Sequence, residues 1–229
     1  QKHAPPRLCA NCTYRRTLAP ILEHLSLNQL NMKPLRNIFL IIATLMFPTI
    51  LQGQNLTDFK ALLADCGMTI EIPLGFIEAE ILENDDMNFE YALKYPNKEF
   101  EIRYAIRPIT YKVYANDEVK NELEGQKGFR NSQFEIIFKT VMLNLTGGIE
   151  YKYTIFDTNA VNSEFNADWG AITFLDLNPN GQFGKGYKYC MMVTIHKKDI
   201  ADGYYFFLAN TKENFMDNVN PLFHSLKFE

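Results

Sequence analysis

Several sets of residues in this chain have types and spacings that can do chemistry. Cys9-Ala10-Asn11-Cys12 has the C-x-x-C spacing of redox and zinc sites. A redox pair needs a strand–helix junction, and a zinc site needs a second ligand pair; only His3 and His24 stand nearby. Asp176-Leu177-Asn178-Pro179-Asn180-Gly181 matches the first half of a calcium loop, with Asp176, Asn178 and Asn180 as the oxygen donors. Position 12 of that loop is Tyr187, where a bidentate Glu belongs. The same residues read as a tight turn between two apolar strands, so no cofactor is expected unless calcium occupies this loop. Gly181, Gly184 and Gly186 have the density of a phosphate-cradling loop, but a strand, not a helix, follows them. Asp168 precedes the single tryptophan, Trp169. A carboxylate beside an indole can make a ligand-binding ledge; the plain alternative is a Trp that anchors a strand, with Asp168 in a turn. His196 and His224 can act as general bases or share a metal, yet neither lies in an H-E-x-x-H or G-x-S-x-G frame. Glu78, Glu80, Glu83, Asp85 and Asp86 read as a solvated acidic face.

These residues have to be positioned by elements that the hydrophobic pattern locates. Residues 57–64 read as a short amphipathic helix through Phe59, Leu62 and Leu63, stopped at Cys66-Gly67. A strand over 68–72 follows and ends at Pro73, and 74–76 make a turn. Residues 88–95 and 99–106 alternate apolar and polar around Pro96-Asn97-Lys98. They predict a β-hairpin with Phe89, Tyr91, Leu93, Tyr95, Phe100, Ile102, Tyr104 and Ile106 on its one buried face. Residues 111–126 are less periodic and acidic and read as a loop, with room for one helical stretch. Phe134, Ile137, Phe138, Val141, Met142 and Leu145 make the core stripe of a helix over 132–145, which Gly147-Gly148 ends. Strands are expected at 151–156, 169–177, 188–197 and 204–209. A last helix should run from a Thr211 cap to about Phe223, with a short edge strand at 225–228. This order predicts an α+β fold: an antiparallel β-sheet with flanking helices, an α/β/α sandwich.

Met32-Lys33-Pro34-Leu35-Arg36-Asn37 precedes an apolar run of fourteen residues, Ile38 to Leu51, and then Gln52-Gly53-Gln54. A basic start, a short apolar middle and a small residue near the exit are the layout of a secretory signal peptide. A membrane span needs about 20 apolar residues, so this run is short for one. The expected organisation is an upstream segment at 1–31 that is not part of the native protein, a signal peptide at 32–53, and a single α+β domain at 54–229. After cleavage no transmembrane span remains, and the protein belongs in the periplasm or outside the cell. The chain carries 23 Lys+Arg and 27 Asp+Glu; six of the basic and one of the acidic residues precede Gln54, leaving 17 and 26, a net charge of −9. That balance disfavours nucleic acid and anionic membrane surfaces as partners. Cys66 and Cys190 remain in the exported part, where an oxidising compartment allows them to form a disulfide or to stay buried as thiols.

The segments Met-Thr-Ile-Glu-Ile-Pro-Leu-Gly-Phe (68–76), Phe-Glu-Tyr-Ala-Leu (89–93), Phe-Glu-Ile-Arg-Tyr-Ala-Ile-Arg-Pro (100–108) and Asn-Phe-Met-Asp-Asn-Val-Asn-Pro-Leu-Phe-His-Ser-Leu-Lys-Phe (214–228) resemble the PsbP-like fold. The chain is also similar to exported bacterial proteins of this length. The resemblance covers most of 67–228 and implies a binding or assembly factor. Its members share no active site, so it carries over no residue roles. The function expected is therefore an exported, non-catalytic protein that binds a partner protein or a small ligand, with an exposed aromatic patch near Trp169 or Tyr111 and Tyr114. The alternative is a hydrolase using Asp168 with His196 or His224. N-terminal sequencing of the exported protein should begin at Gln54; recovery of an intact 1–53 segment would refute the export reading.

Overall fold

The protein is described by a computed structural model over residues 56–109, 128–213 and 215–229. The upstream segment at 1–31 with its C-x-x-C pair, His3 and His24, the export segment, and the 111–126 loop with Tyr111 and Tyr114 lie outside these residues. Residues 56–65 form α1, which turns Phe59 and Leu63 inward and is followed by Gly67 at φ 55°. That left-handed conformation costs least at glycine and stops the helix. β1 (Met68–Ile70) pairs with β9 (Leu226–Phe228) in a two-stranded antiparallel ribbon. The remaining strands are β2 (Ile77–Glu78), β3 (Tyr91–Lys94), β4 (Phe100–Pro108), β5 (Tyr153–Ile155), β6 (Trp169–Asp176), β7 (Tyr189–Lys197) and β8 (Ala201–Ala209). They build one antiparallel sheet in the order β2-β3-β4-β8-β7-β6-β5. The helices are one turn at 128–131 (α2), α3 (Phe134–Thr146), α4 (Thr158–Phe165) and α5 (Phe215–Val219).

The sheet is covered on both sides. On one face Phe59 and Leu63 of α1, Phe165 of α4, Phe215 of α5 and the β1–β9 ribbon pack against Tyr104, Ile102, Tyr205 and Phe207. On the other, Phe138, Val141, Met142 and Leu145 of α3 pack against Met192, Tyr204, Phe206 and Leu208. This is the α+β architecture expected, with helices on either side of an antiparallel sheet. All nine residues of β8, the central strand, are buried. A strand enclosed on both faces need not alternate, which explains the unbroken Tyr-Tyr-Phe-Phe-Leu of 204–208.

The same enclosure corrects the hairpin. β3 and β4 pair as expected, Tyr91 opposite Tyr104 and Leu93 opposite Ile102. Both faces of β4 are buried, however: Arg103 is 1% exposed and Ala105 is fully covered. Phe89 precedes the strand and joins the α3-side core, opposite Tyr91.

Two helices differ from the predicted ones for local reasons. α4 was not anticipated; Asp157 caps it, its Oδ1 accepting from the backbone N–H groups of Asn159 and Ala160. α5 is shorter than the helix predicted after Thr211, because Pro221 bars the residues before it from continuing the helix.

Cys66 and Cys190 are not joined by a disulfide, and both are buried. Cys66 follows α1 on one face of the sheet, and Cys190 lies on β7 facing the other. The sheet itself separates them, so no side-chain rotation brings their sulfurs together. Burial pushes the Cys190 thiol well above its ordinary range, which makes it inert. The purified 54–229 domain should leave both cysteines unlabelled by a thiol reagent when folded and expose both on unfolding without reductant; labelling of neither after unfolding would show that the two are joined, against their placement on opposite faces of the sheet.

Candidate functional site

The α3-covered face of the sheet carries a set of buried polar side chains that strand alternation aims into one layer. β7 points Cys190, Met192, Thr194 and His196 to this face, and β8 points Asp202, Tyr204, Phe206 and Leu208. Register places His196 directly opposite Asp202. The His196 Nδ1 lies 2.7 Å from Asp202 Oδ1, and both side chains are buried. Phe134 of α3 stacks on the imidazole at 4.3 Å. One strand further, Arg107 stands opposite Asp202. Its Nη1 donates to Glu90 Oε1 at 2.8 Å, while Glu90 Oε2 accepts from the Ile106 N–H. Burial raises the Glu90 carboxyl above the usual carboxylate range, against the pull of Arg107.

A second polar group lies at the opposite end of β4. The Arg103 Nε donates to Glu101 Oε1 at 2.6 Å, and its Nη1 donates to the Phe183 carbonyl. The guanidinium sits between the Phe89 and Phe183 rings, at 4.7 and 4.9 Å. The Tyr187 hydroxyl donates to Glu101 Oε2. Asp86 Oδ2 accepts from the Phe183 N–H at 3.0 Å. Arg103 and Asp86 thus clamp the β6–β7 loop through both backbone groups of one residue. The loop borders an open groove of about 650 Å3, rimmed by Glu99, Gln182, Lys185, Tyr187 and Asn210.

The residues singled out in the sequence fall as follows. Asp168 Oδ2 accepts from the Lys198 N–H at 2.8 Å and its own N–H donates to the His196 carbonyl, so it secures the β7–β8 turn. Trp169 is half-buried under Phe134 and Phe138 and anchors the start of β6. His224 Nε2 lies 2.8 Å from Glu164 Oε2 on the surface and stacks on Phe165. Asp168, His196 and His224 are therefore each held by a different partner, and no hydrogen bond among the described residues joins Asp168 to either imidazole. A general base must reach the proton it removes, and His196 is enclosed by Phe134 and its carboxylate.

In the proposed calcium loop, Asp176 meets Lys212 Nζ at 3.5 Å and accepts from the Tyr151 hydroxyl. Asn178 Oδ1 accepts from the Asn180 N–H, the Asx turn of a tight loop. Among the described residues, no group of three or more His, Cys, Asp and Glu is placed to hold a metal ion. Two of the loop glycines are close-packing positions: a Cβ at Gly181 would lie 3.1 Å from Asp86 Oδ2, and one at Gly184 3.0 Å from Leu177.

His196–Asp202 and Arg103–Glu101 were not legible as a site. One signal was present. His196 and Asp202 flank a turn in which Asp199 takes the left-handed conformation at φ 64°, and that three-residue loop sets the register that pairs them. No family model matches this chain, and no curated protein matches it. Arg103→Ala should destabilise the fold by about 3–5 kcal/mol in urea denaturation, because Glu101 keeps a buried charge and the Phe183 carbonyl loses its donor. A loss below about 1 kcal/mol would show that the clamp is not structural.

Proposed function

We propose that this chain is an exported, non-catalytic protein of the bacterial envelope or exterior, and that it binds a partner protein through the outer face of α3. The observation that carries this reading is the composition of that face. Ile136 is 57% exposed, Leu143 38% and Ile137, expected on the core stripe, 37%, on a helix whose opposite side already fills the core. Ile136 and Leu143 are seven residues apart and so lie one above the other, with Thr140 between them. Phe129 just before the helix and Ile149 just after it are also exposed. A helix with apolar residues on its solvent side is expected to meet a partner there. Glu135 and Lys139, paired at 3.0 Å along one flank, supply the polar rim that such surfaces carry.

The exposed side chains expected near Trp169 were aromatic; those found are mostly aliphatic, and Trp169 itself is half-buried. The PsbP-like resemblance belongs to the same proposal, since it implies a binding or assembly role. So does the export segment, which would deliver the domain to the compartment where its partner resides. No helix among the described residues is long and apolar enough to cross a membrane.

The test is retention of a partner from an envelope fraction by the 54–229 domain. Ile136→Lys with Leu143→Lys should abolish retention while leaving the melting temperature within a few degrees of the parent, because both side chains point to solvent. Leu74→Lys, at a fully exposed apolar residue in the turn before β2, serves as a control away from α3. Equal retention by the double variant would rule out this surface.

A further inference from the structure

We propose that the α3-covered face of the sheet contains an internal water-binding site between β7 and β8, formed by the hydroxyls of Thr194 and Tyr204. Both residues are fully buried, and neither hydroxyl has a hydrogen-bond partner among the described residues. Leaving such a group unsatisfied is costly, and native interiors pair them with protein or with ordered water.

The register sets the surroundings of the two hydroxyls. Four strands cross this region, and their paired residues form rows on the face. One row is Trp169, His196, Asp202 and Arg107; another is Thr173, Met192, Phe206 and Arg103. Between them runs Ala171, Thr194, Tyr204 and Ala105. The two hydroxyl-bearing residues are thus flanked on either side by side chains that end at Cβ, while the neighbouring rows include Trp169, Arg107, Met192, Phe206 and Arg103. Phe138 and Met142 of α3 belong to the same buried core as Tyr204. A buried water needs two to four polar partners. Thr194 and Tyr204 offer two, each able to donate or accept. The adjoining row contains the Asp202 carboxylate, whose charge reaches the Tyr204 phenol: burial first and then Asp202 push that phenol up, with Arg107 opposing.

The sign of a stability change distinguishes a water site from two orphaned hydroxyls. Tyr204→Phe and Thr194→Val each remove one oxygen with little change of shape. If water satisfies the hydroxyls, each substitution removes a hydrogen bond, and the unfolding equilibrium constant should rise about 2- to 10-fold. If they are orphaned, removing them relieves a penalty and the variants become more stable than the parent. The second readout is water 17O magnetic relaxation dispersion, which measures waters that exchange slowly with bulk. The dispersion amplitude of the 54–229 domain should fall in both variants. The proposal requires both results. An amplitude unchanged from the parent, or a Tyr204→Phe domain at least as stable as the parent, overturns it.

Discussion

Enclosure of the central sheet on both faces is the constraint from which the rest of this structure follows. β8 is buried along its whole length, and β4 and β7 are buried along most of theirs. Once both faces are removed from water, strand alternation no longer sorts residues into inside and outside. It sorts them into two separate cores. Every polar side chain on these strands must then find its partner inside the protein, because an unpaired buried charge or hydroxyl is far more costly than a solvated one.

The two cores meet this demand differently. The core under α1, α4 and α5 is largely aromatic and aliphatic, and its Tyr104 hydroxyl is satisfied by Ser225 at 2.9 Å. The core under α3 contains Arg103, Glu101, His196, Asp202, Thr194 and Tyr204 beside its apolar residues. There the charged groups are arranged in pairs, each fixed further by a ring or a backbone carbonyl. Arg103 reaches across to the β6–β7 loop and His196 is stacked beneath α3. The polar groups therefore tie covering segments to the sheet. That role accounts for the acidic residue Asp86, which the sequence suggests is solvated and which instead holds the Phe183 N–H. It also accounts for Asp168, whose carboxylate secures a turn.

Most elements were legible because their signals are local. The helix α3 follows from apolar residues at helical spacing and from the Gly147 stop, and the β3–β4 pair from its alternation around Pro96-Asn97-Lys98. α4 was missed although Asp157 is a good cap, since its eight residues bury only Val161 and Phe165 and leave little periodicity to detect. The plain readings of Trp169 and of Asp176 to Gly181 also rested on local chemistry: a strand-starting indole and an Asx turn.

What the sequence determined by itself was the class of fold, the order of most elements and the turns between them, because helical spacing, alternation and glycine stops act over a few residues. What only the tertiary structure decided was partnership. That Arg103 is buried, that Cys66 and Cys190 face opposite cores, and that His196 meets Asp202 and not Asp168 all depend on which strand lies beside which and on what covers the sheet. The physical reason is that alternation tells which residues share a face, whereas burial and pairing are set by segments distant in the chain. A polar residue on a strand reads as solvent-facing until a second layer is known to close over it.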